Sequence, residues 1–300
     1  MVLSVVIPTF NRSEILQECL EALFKQDLPL QDFEVIVVDD GSTDDTRKLL
    51  EHYAVHRKNF RFFHQKNQGQ GIARNVGIEH AQGNILVFIG DDIIVKENFL
   101  SEHLRIHLRH EKENEAVLGF TQWHPRLHVT PFMSWLTNGS SVFGKFGGHQ
   151  FAYEKLKGKD EADYNFFYTS NISLKCSLLS KYPFDPAFSG YGWEDIELGY
   201  RLFLREGLRL YYNPLAVGYH DHVMTEASLA VRMRNIGKSA LVFHKRYPEL
   251  GKVPGFFKKL VFQIFAFAPL ILFFKLVNRN LYYYALSKKY FLEGLSERRD

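Results

Sequence analysis

Residues 35–45 read VIVVDDGSTDD. Apolar β-branched residues run here without a polar break, then stop at two acids and a Gly-Ser-Thr turn. A continuous apolar run suits a strand buried on both faces, as in a parallel sheet. Glu34–Val38 is therefore a predicted strand. Working outward, Leu3–Ile7, Phe60–His64, Ile85–Ile89 and Ala116–Thr121 read as further strands. Helical patterns fall between them. Ser13 is placed to cap a helix to about Lys25, with Ile15, Leu16, Leu20, Leu23 and Phe24 on one face. Ser42 or Thr43 is placed to cap the next, with Leu49, Leu50 and Tyr53 turned inward, and Gln70–Ala81 and Glu97–Arg109 follow. Strands alternating with helices imply βαβ units, an α/β fold built on a largely parallel sheet. Ligands in such sheets lie outside the carboxyl ends of the strands. Asp39, Asp40, Asp91 and Asp92 all fall at predicted carboxyl ends.

Beyond residue 125 the alternation weakens. Residues 126–165 are rich in Gly, Ser, Phe and Lys and read as a long insertion. Regularity returns with FFYTSNISLK, YGWEDIELGYRLFLREG and the strand-like LRLYYNP and AVGYHDHV. A helix follows, with Leu229, Met233, Ile236, Ala240, Leu241 and Phe243 inward, to about Tyr247, and Pro248 and Gly251 break it.

The chain has 300 residues and a net charge of +3. Residues 251–300 hold nine Lys/Arg and three Asp/Glu, so the first 250 residues are slightly acidic. That body carries no concentrated basic stripe, which argues against nucleic acid as a partner. The two cysteines, Cys19 and Cys176, lie far apart in no metal spacing and fit a reducing compartment. The start MVLSVVIPTF lacks a basic leader region and reads as a strand rather than a signal peptide.

The tail differs in kind. Leu260–Phe274, LVFQIFAFAPLILFF, is fifteen residues of nearly unbroken apolar sequence between Lys258, Lys259, Lys275 and Arg279. As a helix it would span about 22 Å, against about 30 Å for a bilayer core, and Pro269 adds a kink. It is expected to lie at a membrane interface, or to form one arm of a shallow hairpin with LYYYALSKKYFL. A core helix packed on the main domain and a true span are the alternatives.

Four constellations carry chemistry. In VVIPTFNR and VIVVDDGSTDD, the backbone near Pro8 and Thr9 could line a base pocket and Asp39 could accept a base N–H; the plainer reading is that Asp39 and Asp40 cap the next helix. In VFIGDDIIV, Asp91 and Asp92 form a carboxylate pair suited to a hard divalent cation that bridges phosphates, or a solvated turn. In GYGWEDIELGYRL, Gly190 and Gly192 loosen the backbone before Glu194 and Asp195, which sit in the first turn of a helix. Glu194, Glu197 and Arg201 share a face, so one carboxylate could be a base and another an anchor for Arg201. In GYHDH, His220 and His222 share one strand face and could ligate a metal or a phosphate.

The order of VVIPTFNR, VIVVDDGSTD, NQGQGIARNVGIEHAQG, VFIGDDII, SNISLK and GWEDIELGYRL, followed by a strand ending in His, resembles the family 2 glycosyltransferases over residues 3–222. The resemblance implies a GT-A (Rossmann-like) fold and inverting transfer of a sugar from a nucleotide diphosphate to an acceptor hydroxyl. It implies that residues 1–250 form the transferase domain, with 1–125 as its nucleotide-binding half and 126–250 as its acceptor and catalytic half, and that 251–300 are a basic, membrane-associated helical tail. Pro8, Thr9, Asn11 and Arg12 would then line the nucleotide pocket, Asp39 would bind the base, usually uracil, and Arg74 and Asn75 would shape the site. Asp91 would reach ribose. Asp91, Asp92 and His220 would hold a divalent metal, Mn²⁺ or Mg²⁺, with His222 as an additional ligand. Asp195 would be the general base and Glu194 the next candidate. One departure is that Ile89 stands where the family often has the first acid of its Asp-x-Asp element.

The expected partners are a nucleotide-sugar donor, a saccharide or lipid-linked acceptor and the inner face of the membrane from the cytoplasm, with a homo-oligomer left open. Trp123, Trp135, Phe143 and Phe146 could stack on sugar faces, although packing is the commoner fate of such residues. Two rivals remain. A nucleotidyltransferase would need a Gly-rich triphosphate loop after the first strand, and PTFNRSE has no Gly. A silent nucleotide-sugar-binding or scaffold protein at the membrane would be consistent with the missing first acid.

Overall fold

The computed structural model describes residues 2–139, 151–188 and 192–297. They group into two units. The first comprises Met1–Arg126, Leu156–Ser189 and Glu194–His222, and the second Leu127–Lys155, Gly190–Trp193 and Val223–Asp300. Residues 223–250, which the sequence groups with the first domain, thus belong with the tail.

The first unit is built on one sheet. Its strands are β1 (Leu3–Thr9), β2 (Phe33–Asp39), β3 (Phe60–His64), β4 (Ile85–Ile89), β5 (Ile93–Val95), β6 (Glu115–Trp123), β7 (Glu161–Ala162), β8 (Asn171–Lys175) and β9 (Arg209–His220). Their order is β3-β2-β1-β4-β8-β6-β9-β5, with β7 beside β9. The half from β3 to β4 is parallel, and the sheet is mixed beyond it. Helices α1 (Ser13–Leu23), α2 (Thr46–His56), α3 (Gln70–His80) and α4 (Phe99–His107) connect the first strands; α5 (Pro131–Asn138) lies in the second unit, and α6 (Cys176–Lys181) and α7 (Glu194–Glu206) return to the first.

The uninterrupted apolar runs are explained by cover on both sheet faces. Val5, Ile7, Val35, Val37, Val87 and Ile89 pack with Leu16, Leu20 and Leu23 of α1 and Phe99 and Leu100 of α4. Ile36 and Val38 point the other way, onto Ala73 of α3. Gly77 lets α3 sit close to β1, because a Cβ there would fall 2.3 Å from Val6 Cγ1.

Four expectations change. Leu241 is exposed rather than turned inward. Ser13 is the first residue of α1 rather than its cap, and its N–H donates to Asp44 (3.2 Å). Neither Ser42 nor Thr43 caps α2, which begins at Thr46 after Asp45. LRLYYNP and AVGYHDHV form one strand rather than two. Its pairing with β6 jumps from Gly119–Asn213 to Phe120–Val217, so Pro214, Leu215 and Ala216 bulge out of register. A bulge is one of the places where a strand tolerates proline.

In the second unit, Thr130 caps α5 through Met133 N–H (3.2 Å), with Pro131 at its first position. Helix α8 (Glu226–Arg246) packs on α11 (Arg279–Ser296) through two glycines. A Cβ on Gly237 would lie 2.5 Å from Phe291 O, and one on Gly294 would lie 2.1 Å from Arg234 O. The apolar segment breaks into α9 (Phe256–Phe265) and α10 (Ala268–Val277), bent by 60°, with Pro269 in the first turn of α10. Among the described residues no single helix is long and apolar enough to cross a membrane.

Candidate active site

The strand pairings place the chemistry at one edge of the sheet. β4 runs against β8, β8 against β6, and β6 with β9, so β9 runs in the same direction as β4. The carboxyl ends of β1, β2, β4 and β9 therefore share an edge, and they end in Thr9, Asp39, Ile89 and His220.

After Ile89 the chain makes the tight Gly90–Asp91–Asp92 turn, closed by Ile93 N–H to Gly90 O (3.2 Å). Both acids are buried. Thr9 Oγ1 donates to Asp91 Oδ2 (2.9 Å). Arg12 Nη1 lies between the carboxylates, 3.1 Å from Asp91 Oδ1 and 2.6 Å from Asp92 Oδ2. His220 Nε2 stands 3.6 Å from Asp92 Oδ2, held there because His220 pairs with Ile93 across β9 and β5. Burial and the charge of Asp92 push the Asp91 carboxyl up to about 7. Burial works against Asp92 as well, yet His220 and Arg12 hold it below the ordinary carboxylate range. The edge of the Trp123 ring meets His220 at 5.2 Å.

Asp39 and Asp40 fold the neighbouring loops. Asp39 accepts Ser42 N–H on Oδ1 and pairs with His64 Nδ1 on Oδ2, each at 2.9 Å. Asp40 accepts from Gln65 Nε2 and from the backbone of Gln68 and Gly69. Asn11 sits at φ +52°, a left-handed conformation that Asn tolerates better than most residues. Its Oδ1 accepts Thr43 N–H (2.7 Å) and its own N–H donates to Ser42 Oγ (2.8 Å). The loops after β1 and β2 are thereby stapled together, with Pro8 buried beneath them.

A second cluster joins α3 to α7. Arg74 is buried, 3.5 Å from Glu194 Oε1, with its guanidinium over the Phe184 ring. Gln70 also donates to Glu194. Asn75 binds the Phe184 backbone twice, at 2.8 Å each way. Glu197 takes Arg201 in a two-pronged pair, so Glu197 is the anchor and Glu194 is the counter-ion of Arg74. This tethering argues against Glu194 as a base. Asp195 is half-buried at the start of α7, and burial plus the Glu194 charge push its carboxyl up to about 7. A carboxyl near neutrality in a cluster of charges is a base candidate on physical grounds.

His222 lies beyond the end of β9, half-buried, its ring 6.2 Å from that of His220. Trp135 is buried among Phe132 and Tyr283 and cannot stack on a sugar as it stands. Phe143, Phe146 and Gly190 lie outside the described residues. One network had escaped notice. His103 Nε2 donates to Asn171 Oδ1 (2.9 Å), and Asn171 Nδ2 donates to Phe120 O (3.1 Å) and Ala216 O (3.0 Å). Ser173 Oγ donates to His103 Nδ1 (2.8 Å) and accepts from His107 Nε2 (2.9 Å). The chain braces the β9 bulge from behind. Its signal was present as Asn and Ser inside the otherwise apolar NISL.

Among the described residues no three His, Cys, Asp or Glu groups form a complete metal shell. Asp92 Oδ2 and His220 Nε2 nevertheless converge. A small divalent cation is held by one or two carboxylates and completes its shell with water and substrate phosphates; Asp92 suits that role, in competition with Arg12 Nη1, which lies 2.6 Å from the same Oδ2.

A sequence model described as glycosyl transferase family 2 matches residues 4–167. Validoxylamine A glucosyltransferase of Streptomyces hygroscopicus subsp. jinggangensis is 32% identical over 218 residues, covering 67% of this chain and 51% of that protein. Glycosyltransferase GlyG of Streptococcus pneumoniae is 37% identical over 118 residues, 39% of this chain and 38% of that protein. The chain spans about half the length of the Streptomyces relatives it matches. Among solved structures, the mannosyltransferase PcManGT from Pyrobaculum calidifontis, in complex with GDP-Man and Mn²⁺, aligns with a TM-score of 0.59 at 19% identity, over 98% of this chain and 72% of that one. S. aureus TarS 1–349 in complex with UDP aligns with a TM-score of 0.56 at 20% identity, over 98% and 89%.

Proposed function

The chain belongs to glycosyl transferase family 2 and has the GT-A fold, and on that premise we propose that it is an inverting hexosyltransferase using a nucleotide-diphosphate sugar. The convergence of Thr9, Arg12, Asp91, Asp92 and His220 at one strand edge carries the proposal. In this reading, Pro8, Thr9, Asn11 and Arg12 line the nucleotide pocket. Asp39 has acceptor capacity left for a base N–H, since a carboxylate offers about four lone-pair sites. Arg74 and Asn75 shape the site by fixing α3 to Phe184 and α7. UDP is the favoured donor nucleotide because of Asp39, although the solved neighbours include both UDP and GDP-Man complexes. A hexose is supported by the glucosyl and mannosyl names of the relatives.

Asp195 removes the proton from the attacking hydroxyl as the sugar–phosphate bond breaks on the opposite side. Arg12 presents the chain's own positive charge to the departing diphosphate. Asp92 and His220, with Asp91 beside them, would hold Mn²⁺ or Mg²⁺, which when bound neutralises charge on the diphosphate. The acceptor is a lipid-linked or surface saccharide. The enzyme works at the inner face of a membrane, a location supported by the exposed apolar residues of α9 and α10 and the cations around them.

Calorimetry with UDP, GDP, dTDP and UDP-sugars, with and without Mn²⁺, tests the reading. Metal-dependent binding of one nucleotide is expected. Absence of binding to every nucleotide under both conditions would sink it. Binding with neither transfer nor donor hydrolysis would leave a silent nucleotide-sugar binder.

A further inference from the structure

We propose that a cavity in the second unit holds the phosphate headgroup of an anionic membrane lipid; the proposal rests on the membrane-surface reading above. The cavity encloses about 460 Å³ between α5, α10, α11 and the segment entering α8. Thr130, Phe132, Met224, Lys275, Arg279 and Tyr282 form its wall. Glu226 also borders it, and its carboxylate accepts the Tyr283 hydroxyl (3.0 Å). Among the described residues, Lys275 and Arg279 form no ion pair. Two cations without an acidic partner, Lys275 lying 6.0 Å over the Tyr282 ring, beside an apolar and aromatic wall suit a phosphate attached to a hydrocarbon.

The surroundings fit a lipid. Phe256, Phe257, Leu260, Val261, Ile264 and Phe267 are exposed on and after α9, and Leu272, Phe273, Leu276 and Val277 on α10. Each helix has ten residues, about 15 Å, or roughly one leaflet of a 30 Å hydrocarbon core. A shallow apolar hollow of about 570 Å³ at the bend, lined by Ile264, Phe267, Pro269 and Phe273, lies along the same helix α10.

Charge decides against a second copy as the occupant. From Gly251 to Leu292 the chain carries seven Lys/Arg and no Asp or Glu. A two-fold pair of such faces would oppose like charges, whereas an anionic bilayer neutralises them.

The test is flotation of the full chain with vesicles of phosphatidylcholine, alone and with phosphatidic acid. Wild type should bind the anionic vesicles. Loss of two ordinary surface cations should weaken binding about 25-fold, at about fivefold each, which is the expectation for Lys258→Ala/Lys259→Ala. Lys275→Ala/Arg279→Ala should weaken it by about a hundredfold or more, because phosphate hydrogen bonds are lost as well. Lys275→Gln/Arg279→Gln repeats the comparison if the alanine pair melts below wild type. Equal losses at the two sites would overturn the cavity and leave the membrane reading standing. No binding of wild type to either vesicle would overturn both, and nucleotide binding by the same preparation reports separately on the transferase reading.

Discussion

Replacing His107 by Gln removes one proton-binding group from the interior and leaves a donor for Ser173. His107 is buried, and burial together with the charge of Lys175 holds its imidazole down at about 3. An unfolded His titrates near 6.5. Below pH 6.5 the unfolded chain therefore takes up a proton that the folded chain refuses, and stability falls as pH falls toward 3. Integrated from pH 7.5 to 4.5, this one group removes about 2.5 kcal/mol of folding stability. His103, held at about 4 mainly by burial, removes a similar amount. The raw stability curve will hide this. Asp91 and Asp195, both raised to about 7, bind protons in the folded state over the same range and stabilise it on acidification. The informative quantity is the difference between His107→Gln and wild type, from urea unfolding followed by far-UV circular dichroism. Whatever the substitution costs at pH 7.5, it should cost about 2.5 kcal/mol less at pH 4.5. A cost that stays constant within about 0.5 kcal/mol, the usual scatter between independent sites, would refute the reasoning. His107 would then take up its proton in the fold as readily as in the unfolded chain, and its burial would not be holding the imidazole neutral.

Two predictions concern the active site. Asp195→Asn should lower turnover about 10²–10⁴-fold while UDP affinity stays near wild type, and a collapse of both would make Asp195 structural. With a carboxyl near 7, the ionised base grows from about a tenth of the enzyme at pH 6 to nine-tenths at pH 8, so wild-type kcat/KM should rise about tenfold and the residual rate of the variant should stay flat. Arg12→Gln removes the cation that bridges Asp91 and Asp92 and should tighten binding of Mn²⁺ alone by at least about tenfold, read by calorimetry without nucleotide. Unchanged Mn²⁺ affinity would mean that Arg12 and the ion do not compete.

The sequence made the strand framework readable because burial on both faces leaves a continuous signature, as in VIVV and LVFI. Acids directly after such runs mark the ligand edge, and Asp91 and Asp92 were found on that basis. Short or irregular elements were lost. β5 has three residues, too few to show a period. Pro214 reads as a strand end and instead sits in a bulge. The caps were misread for a related reason: Ser13 has the residue type of a cap, but its N–H is met by Asp44, 31 residues away.

The same distinction divides the active site. Residue type and position marked the acids and His220 as candidates, and the family resemblance singled out Asp195. Partners came from strand order. Arg12 reaches Asp91 across 79 residues because β1 and β4 are neighbours, and Arg74 reaches Glu194 across 120 because α3 and α7 meet. Glu194 and Asp195 are adjacent in sequence and of like charge, yet the buried Arg74 guanidinium claims the first. Burial and the adjacent Glu194 carboxylate push the second up to about 7. The sequence ranks the two carboxylates through a family resemblance, and placing the helix that carries Arg74 supplies the physical difference between them.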